Sequence, residues 1–420
     1  MSGPASRLLR SANFRALWLG QFVSIFGDRL HYLALLALLM ERARDPANPA
    51  PELALVPAVS FLPTILVGPL AGALVDTWDL RRVLVVSDFL RGCIVLLMIP
   101  AVAAGGLPAA FALVFALFLA NSFFLPARSA ILPDLVDAGD LVEANSLATL
   151  AGVAATIAGS ALGGILVERA GWRWGLAFDA VTYFISVIFL AALHPTARVR
   201  RAHEGSWRDV YRALGRDVKD GASLTIRNRS VLGPILALVL LWVAGGALHV
   251  AGTVLLRQRM SAFVSGTGGV LSAVGFGMVA GTLLTSARGR RFSPRALRAV
   301  GLAGTGAALL LFARSFTLPA LLSAAFVAGI FVAILLVTTE SSVQAEVGPE
   351  ARGRVFALRD FSTRVAVLAS AGALGLLIGR GILTPVVTVA SAGGILIAAG
   401  VWSWIGGERA RVARRAAEAG

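Results

Sequence analysis

The chain has 420 residues, of which 57% are hydrophobic and only 15% charged, with a net charge of +15. So apolar a chain argues against a soluble enzyme and for a protein that crosses a membrane many times. Nucleic-acid binding would need the basic residues gathered on one folded surface, and here they fall in short blocks between apolar runs.

About 20 apolar residues cross a bilayer core as a helix. On that basis the sequence predicts an all-α polytopic protein with twelve spans, the first at residues 14–40. The basic stretch before it is followed by an apolar segment too long and too charged for a signal-peptide core, so it is expected to stay as a span. Within it lies "QFVSIFGDRLHY". At about 100° per residue, Gln21, Ser24, Asp28, His31 and Tyr32 share one face, while Arg29 points about 100° away from Asp28. A charge at mid-bilayer costs on the order of 2.5–3.5 kcal/mol even on lenient insertion scales, so this stripe should face a cavity or a partner.

Spans at 53–75 and 83–103 follow, joined by "GALVDTWDLRR" with Gly72, Asp76, Arg81 and Arg82. Asp88 and Arg91 stand at i,i+3 on the third span, where they can neutralise each other. Span four, 109–127, carries Asn121 and Ser122 and ends beside Arg128; span five, 145–167, holds "AGSALGG"; span six is 173–193. The only cysteine, Cys93, rules out an intrachain disulfide and a Cys-based zinc site.

Residues 194–229 form the longest polar stretch. Trp207, Val210, Tyr211, Leu214 and Val218 recur at helical spacing against a charged face, as expected of a helix on the membrane surface. Span seven, 230–255, places Trp242, Gly245, Gly246, His249 and Thr253 on one face at α-helical spacing. Spans at 263–287, 296–313, 318–339, 356–378 and 384–406 complete the set. Thr338, Thr339 and Glu340 end the tenth, and Asp360 with Arg364 forms an i,i+4 pair on the eleventh. The expected division is 1–193, a linker 194–229, 230–406, and a basic tail 407–420.

Lys and Arg settle orientation. With the N-terminus inside, the outer loops hold only Arg42, Arg44, Arg169, Arg173, Arg257, Arg259, Arg314 and Arg380, while Arg29, Arg91 and Arg364 lie deeper in spans and the rest face the cytoplasm. Both termini are therefore expected in the cytoplasm, and topology accounts for the basic blocks without nucleic acid. A repeat is also visible. "GALVDTWDLRRVL" is echoed by "GTLLTSARGRRFS", setting Asp76 against Thr285, and "RSAILPDLV" by "ESSVQAEVG", setting Ser129 against Ser341, at offsets of 209 and 212. Two parallel six-span halves follow, with a substrate site near the midplane.

These segments resemble the major facilitator superfamily over the whole chain. The family's loop between helices two and three reads roughly G-x-L-x-D-R and then a basic cluster; Gly72, Leu74, Asp76, Arg81 and Arg82 match, with Thr77 in place of Arg and Asp79 in place of Gly. The Asp-x-x-Asp version looks like the efflux subgroup that includes enterobactin and macrolide exporters, as do "NFRALWLGQFVSIFGD" and "AEVGPEARGRVFAL". Gly159, Gly163 and Gly164 match the family's antiporter motif in helix five, with Ser160 where proline belongs; small residues at this spacing also let helices approach closely.

The resemblance implies a major facilitator fold of twelve helices in two pseudo-symmetric bundles, with helices one, four, seven and ten lining a central cavity. Gln21, Ser24, Tyr32, Asn121, Trp242 and His249 are the implied cavity residues. Asp28 is the candidate proton-coupling carboxylate, since partial burial perturbs a carboxyl's proton affinity, and His31, one turn on, would share that proton. The competing reading pairs Asp28 with an Arg of a neighbouring helix. Gly72, Asp76, Arg81, Arg82, Arg128 and Glu340 form the candidate conformational latch, Asp76 lying against the positive N-terminus of helix eleven near Gly353 or against Arg128.

The expected function is that of a proton-coupled, monomeric secondary exporter of drugs, siderophores or metabolites in the inner membrane of a bacterium, driven by an ion gradient rather than by ATP since no P-loop occurs, with no cofactor and no resident metal. "IFGDRLHY" also looks like the first helix of ferroportin-type metal exporters, with Asp28, His31 and His249 as counterparts, although His follows Asp by three residues here and by four there. A membrane-embedded hydrolase lacks its motifs in this chain, H-E-x-x-H and G-x-S-x-G. A scaffold or receptor has no use for a polar stripe at mid-membrane.

Overall fold

The computed structural model describes residues 4–45, 47–194 and 207–418, and the described residues form helices joined by short turns. Hydrocarbon offers no partner for a backbone N–H or C=O, so each apolar run must satisfy its own groups as a helix. A short helix α1 (Pro4–Arg10) precedes α2 (Ala12–Arg42), whose N-cap Ser11 accepts from Phe14 N. Helix α3 (Ala50–Val75) follows, then α4 (Leu80–Ile131), α5 (Leu141–Ala170) and α6 (Trp172–Ala191).

Among the described residues, eleven helical stretches are long and apolar enough to cross a membrane. One of them carries two of the twelve expected crossings. At 1.5 Å per residue the 52 residues of α4 would run about 78 Å, far beyond a bilayer core of about 30 Å. The chain breaks at Gly106 (φ 64°, ψ −151°), a conformation that a Cβ disfavours, and the two arms on either side match the third and fourth spans.

The polar stretch after α6 is helical over α7 (Trp207–Arg227), as its spacing predicts, while the linker residues before it lie outside the described residues. The seventh span is interrupted. Helix α8 (Arg229–Ala247) passes through a π-helical turn at Leu248–Gly252 into α9 (Thr253–Arg259). Helices α10 (Phe263–Arg288), α11 (Pro294–Arg314), α12 (Leu318–Glu346), α13 (Pro349–Gly379) and α14 (Pro385–Glu418) complete the chain.

The contacts divide the chain into two compact units, Met1–Pro46 with Leu55–Leu214, and Ala47–Ala54 with Gly215–Gly420. In the first, α2 packs between α5 and α6, and α6 lies against α4. In the second, α11 packs on α14 and α12, α10 on α12, and α8 on α13. Many large apolar side chains remain exposed, among them Leu66, Val86, Phe89, Ile188, Leu283 and Leu376, as a lipid-facing surface requires.

Asp79 starts α4, its carboxylate accepting from Arg82 N at 3.0 Å. The aspartate that stands where the resembling loop has glycine is thus an N-cap. Asp79→Ala is expected to cost about 0.5–2 kcal/mol, read as a lower thermal midpoint in detergent, and an unchanged midpoint would contradict the capping role.

Candidate functional site

The polar stripe of α2 is where the first unit concentrates its ionisable groups. Gln21, Ser24 and His31 are buried, while Asp28 and Tyr32 are half-buried on a cavity of about 240 Å³. Arg29, Ser60, Arg91, Asn121 and Tyr183 line the same cavity. Glycines set the spacing of the helices around it. A Cβ at Gly27 would lie 1.8 Å from Thr182 Oγ1, and one at Gly159 would lie 2.7 Å from the carbonyl oxygen of Phe26. Close approach of α6 and α5 to α2 is therefore possible only without side chains there. Gly163 meets Leu30 in the same seam, and Gly164 and Ser160 are buried.

This approach brings three residues of α6 to the stripe. Tyr183 Oη donates to Asp28 Oδ1 at 2.5 Å. Asp179 Oδ2 lies 3.2 Å from His31 Nδ1. Ser186 Oγ donates to Asp88 Oδ2 at 2.6 Å. The expected Asp88–Arg91 pair forms, fully buried, and Arg91 reaches further: Nη1 donates to Asn121 Oδ1 at 3.3 Å, and its guanidinium lies over the rings of Phe124 and Tyr183 at 4.2 and 4.6 Å. Gln21, with its amide oxygen turned to the donors, accepts from Arg128 Nε and Nη1 at 2.6 and 3.1 Å.

Asp28 is thus held by a tyrosine hydroxyl rather than by an arginine pressed against it. The stripes of spans one and seven do not include these α6 residues, and span six carries a stripe of its own. "DAVTYFIS" carries Asp179, Tyr183 and Ser186 at i, i+4 and i+7, the same signature.

In the second unit, the shared face expected for span seven is broken by the turn at 248–252. Gly246 faces α13, where a Cβ would lie 2.9 Å from Val367 O, so it serves packing. His249 Nε2 is 3.0 Å from Leu53 O, and Thr253 Oγ1 donates to His249 O. Trp242 is 41% exposed and lines a separate cavity of about 500 Å³ with Glu340, Arg359, Asp360 and Thr363. The ion pair of Asp360 is with Arg359 at 2.8 Å, not the expected Arg364, and Arg359 also pairs with Glu340. An intrahelical spacing permits a pair without compelling it, and a neighbour one residue away reached both carboxylates.

Of the remaining residues around the α3–α4 connection, Asp76 is exposed just past the end of α3, and Gly72, near that end, has nothing within 4 Å of a Cβ. Arg81 donates to the carbonyl of Ala191 at the end of α6, and Arg82 lies 3.7 Å from Asp79. Among the described residues there is no group of three or more His, Cys, Asp or Glu able to hold a metal ion.

A family model described as Major Facilitator Superfamily matches residues 17–266. The MFS-type transporter YfiS of Bacillus subtilis is 28% identical over 366 residues, which cover 84% of this chain and 84% of that one. A putative bacilysin exporter, BacE of Bacillus amyloliquefaciens, is 24% identical over 358 residues, covering 84% and 86%. The crystal structure of the nucleoside transporter NupG superposes with a TM-score of 0.73 at 15% identity, over 93% of this chain and 98% of that one, which shows the fold.

Proposed function

Since the chain belongs to the Major Facilitator Superfamily, and is thereby a multi-pass membrane transporter rather than an enzyme, we propose that it is a proton-coupled exporter of small molecules. It works by alternating access in a bacterial inner membrane, with both termini in the cytoplasm and as a monomer. The observation that carries the coupling is the cavity of the first unit, where Asp28 and His31 meet Tyr183, Arg91 and Asn121. Ionisable groups inside a span mark substrate or proton pathways. Export is supported by the likeness to BacE and by the Asp-x-x-Asp loop, which also resembles enterobactin and macrolide exporters.

The metal-exporter reading draws less support. His31 is engaged by Asp179 and His249 by a backbone carbonyl.

The test is transport in proteoliposomes under an imposed pH gradient, with ethidium and Mn²⁺ as probes. Ethidium movement is expected to follow the gradient and to collapse when an ionophore dissipates it. Gradient-independent ethidium movement removes the coupling, and gradient-driven Mn²⁺ movement in its place restores the metal reading.

A further inference from the structure

Asp179 is a carboxylate that the transport reading leaves unused. It is 0% exposed. Its Oδ2 lies 3.2 Å from His31 Nδ1, and its Oδ1 points at Gly27, where a Cβ would stand 2.5 Å away. Among the described residues neither carboxylate oxygen, and neither ring nitrogen of His31, has a partner of good hydrogen-bond geometry.

Of the other charges near it, Asp88, Arg91 and Asp28 have partners of their own, and Arg29 lies on the cavity. On α4, Asp88 is closed by Arg91 and Ser186. On α2, Asp28 accepts from Tyr183 and opens on the cavity, which Arg29 also lines. On α6 itself Tyr183 donates to Asp28. The part of α5 packed against α2 offers Gly159, Ser160 and Gly163, none of which titrates.

A buried carboxylate with no fixed cation is costly, and its remedy is a proton or a cationic neighbour. Here the neighbour is an imidazole, so both remedies use the same proton. Carboxylic acid beside neutral imidazole and carboxylate beside imidazolium are equally uncharged overall. His31 lines the cavity and Asp179 does not, so the imidazole stands between the carboxyl group and the cavity.

We propose that Asp179 and His31 together form a proton-binding site, loaded and emptied from the cavity through the His31 ring, and that its proton is coupled to transport alongside that of Asp28. In loading, a proton from cavity water bonds to Nε2 while the Nδ1 proton passes to Asp179 Oδ2; unloading runs the same transfers backwards. The emptied site carries a net negative charge and is sustained only while water or a cationic solute occupies the cavity. The pair titrates as a unit rather than as two groups. The coupling to transport rests on the proton-driven reading above; the proton site itself does not.

Infrared difference spectra between acid and alkaline buffer, taken on the full chain in lipid nanodiscs, test the site without any transported probe. A carboxyl or imidazolium band is expected to vanish in alkali, to be absent from Asp179→Asn and from His31→Gln alike, and to persist in Asp28→Asn. A band unchanged in Asp179→Asn, or two variants that each remove a different band, overturns the shared site. In wild type with ¹⁵N-labelled histidine, the His31 ring shifts must follow the same transition, which guards against a variant that fails to fold. For coupling, ethidium export by Asp179→Asn should fall to its gradient-free rate while dye exchange at equal pH survives; export that still follows the gradient overturns this role. Wild-type ethidium export that ignores the gradient instead fells the proton-driven reading, whatever the infrared result.

Discussion

Asp28→Asn is expected to reduce gradient-driven transport to the rate seen without a gradient, while leaving insertion and thermal stability at wild-type values. The asparagine is nearly isosteric and its amide oxygen can still accept the Tyr183 hydroxyl that Asp28 Oδ1 now accepts at 2.5 Å. What it cannot do is exchange a proton. The variant therefore separates chemistry from packing at a position half-buried on the 240 Å³ cavity. Gradient-driven and equal-pH transport measured side by side give the result: loss of both would make Asp28 a substrate-binding or structural group, and loss of neither removes it from the mechanism.

The second large effect is expected at the seam that builds the site. At Gly159 a Cβ would lie 2.7 Å from the Phe26 carbonyl oxygen and 3.1 Å from its Cα, so the obstacle is backbone and cannot rotate away. Gly159→Val must push α5 from α2, and overpacking of this kind costs about 1–3 kcal/mol. The same displacement disturbs the turn of α2 that carries Asp28. Transport and thermal midpoint should therefore fall together. Gly72→Ala supplies the contrast, because a Cβ there meets nothing within 4 Å. Its midpoint should equal or exceed wild type, since alanine favours a helix over glycine, so that any loss of transport reports on the end of α3 rather than on packing. A Gly159→Val protein as stable as wild type would contradict the close approach of the two helices.

The architecture was legible because the bilayer makes a harsh demand that composition reveals. Runs of about 20 apolar residues, the basic blocks between them and the echo of "GALVDTWDLRR" needed no tertiary information to be seen. The stripe of Gln21, Ser24, Asp28, His31 and Tyr32 was visible for the same reason, since polar residues in a span stand out against their neighbours. Partners were harder. Nothing in the spacing of "DAVTYFIS" says that Asp179 meets His31 or that Tyr183 meets Asp28; those contacts depend on how closely α6 approaches, which Gly27 decides from the other side. Asp360 illustrates the complementary failure, because periodicity pointed to Arg364 along the helix and Arg359 met it instead. The break at Gly106 and the wide turn of the seventh span lie below the resolution of a hydropathy pattern.

That wide turn has a consequence for how the two halves of the chain correspond. A π-helical ring closes from i to i+5 and so encloses one residue more than an α-helical ring. Span seven contains such a ring at Leu248–Gly252, whereas α2 runs as continuous α-helix from Ala12 to Arg42. A position-by-position match of the first span to the seventh must therefore slip by one residue across that turn. Roles copied from Asp28 and His31 at a single fixed offset land on the wrong face beyond it, and deletion of one residue from 248–252 is the edit that would bring the two spans back into step.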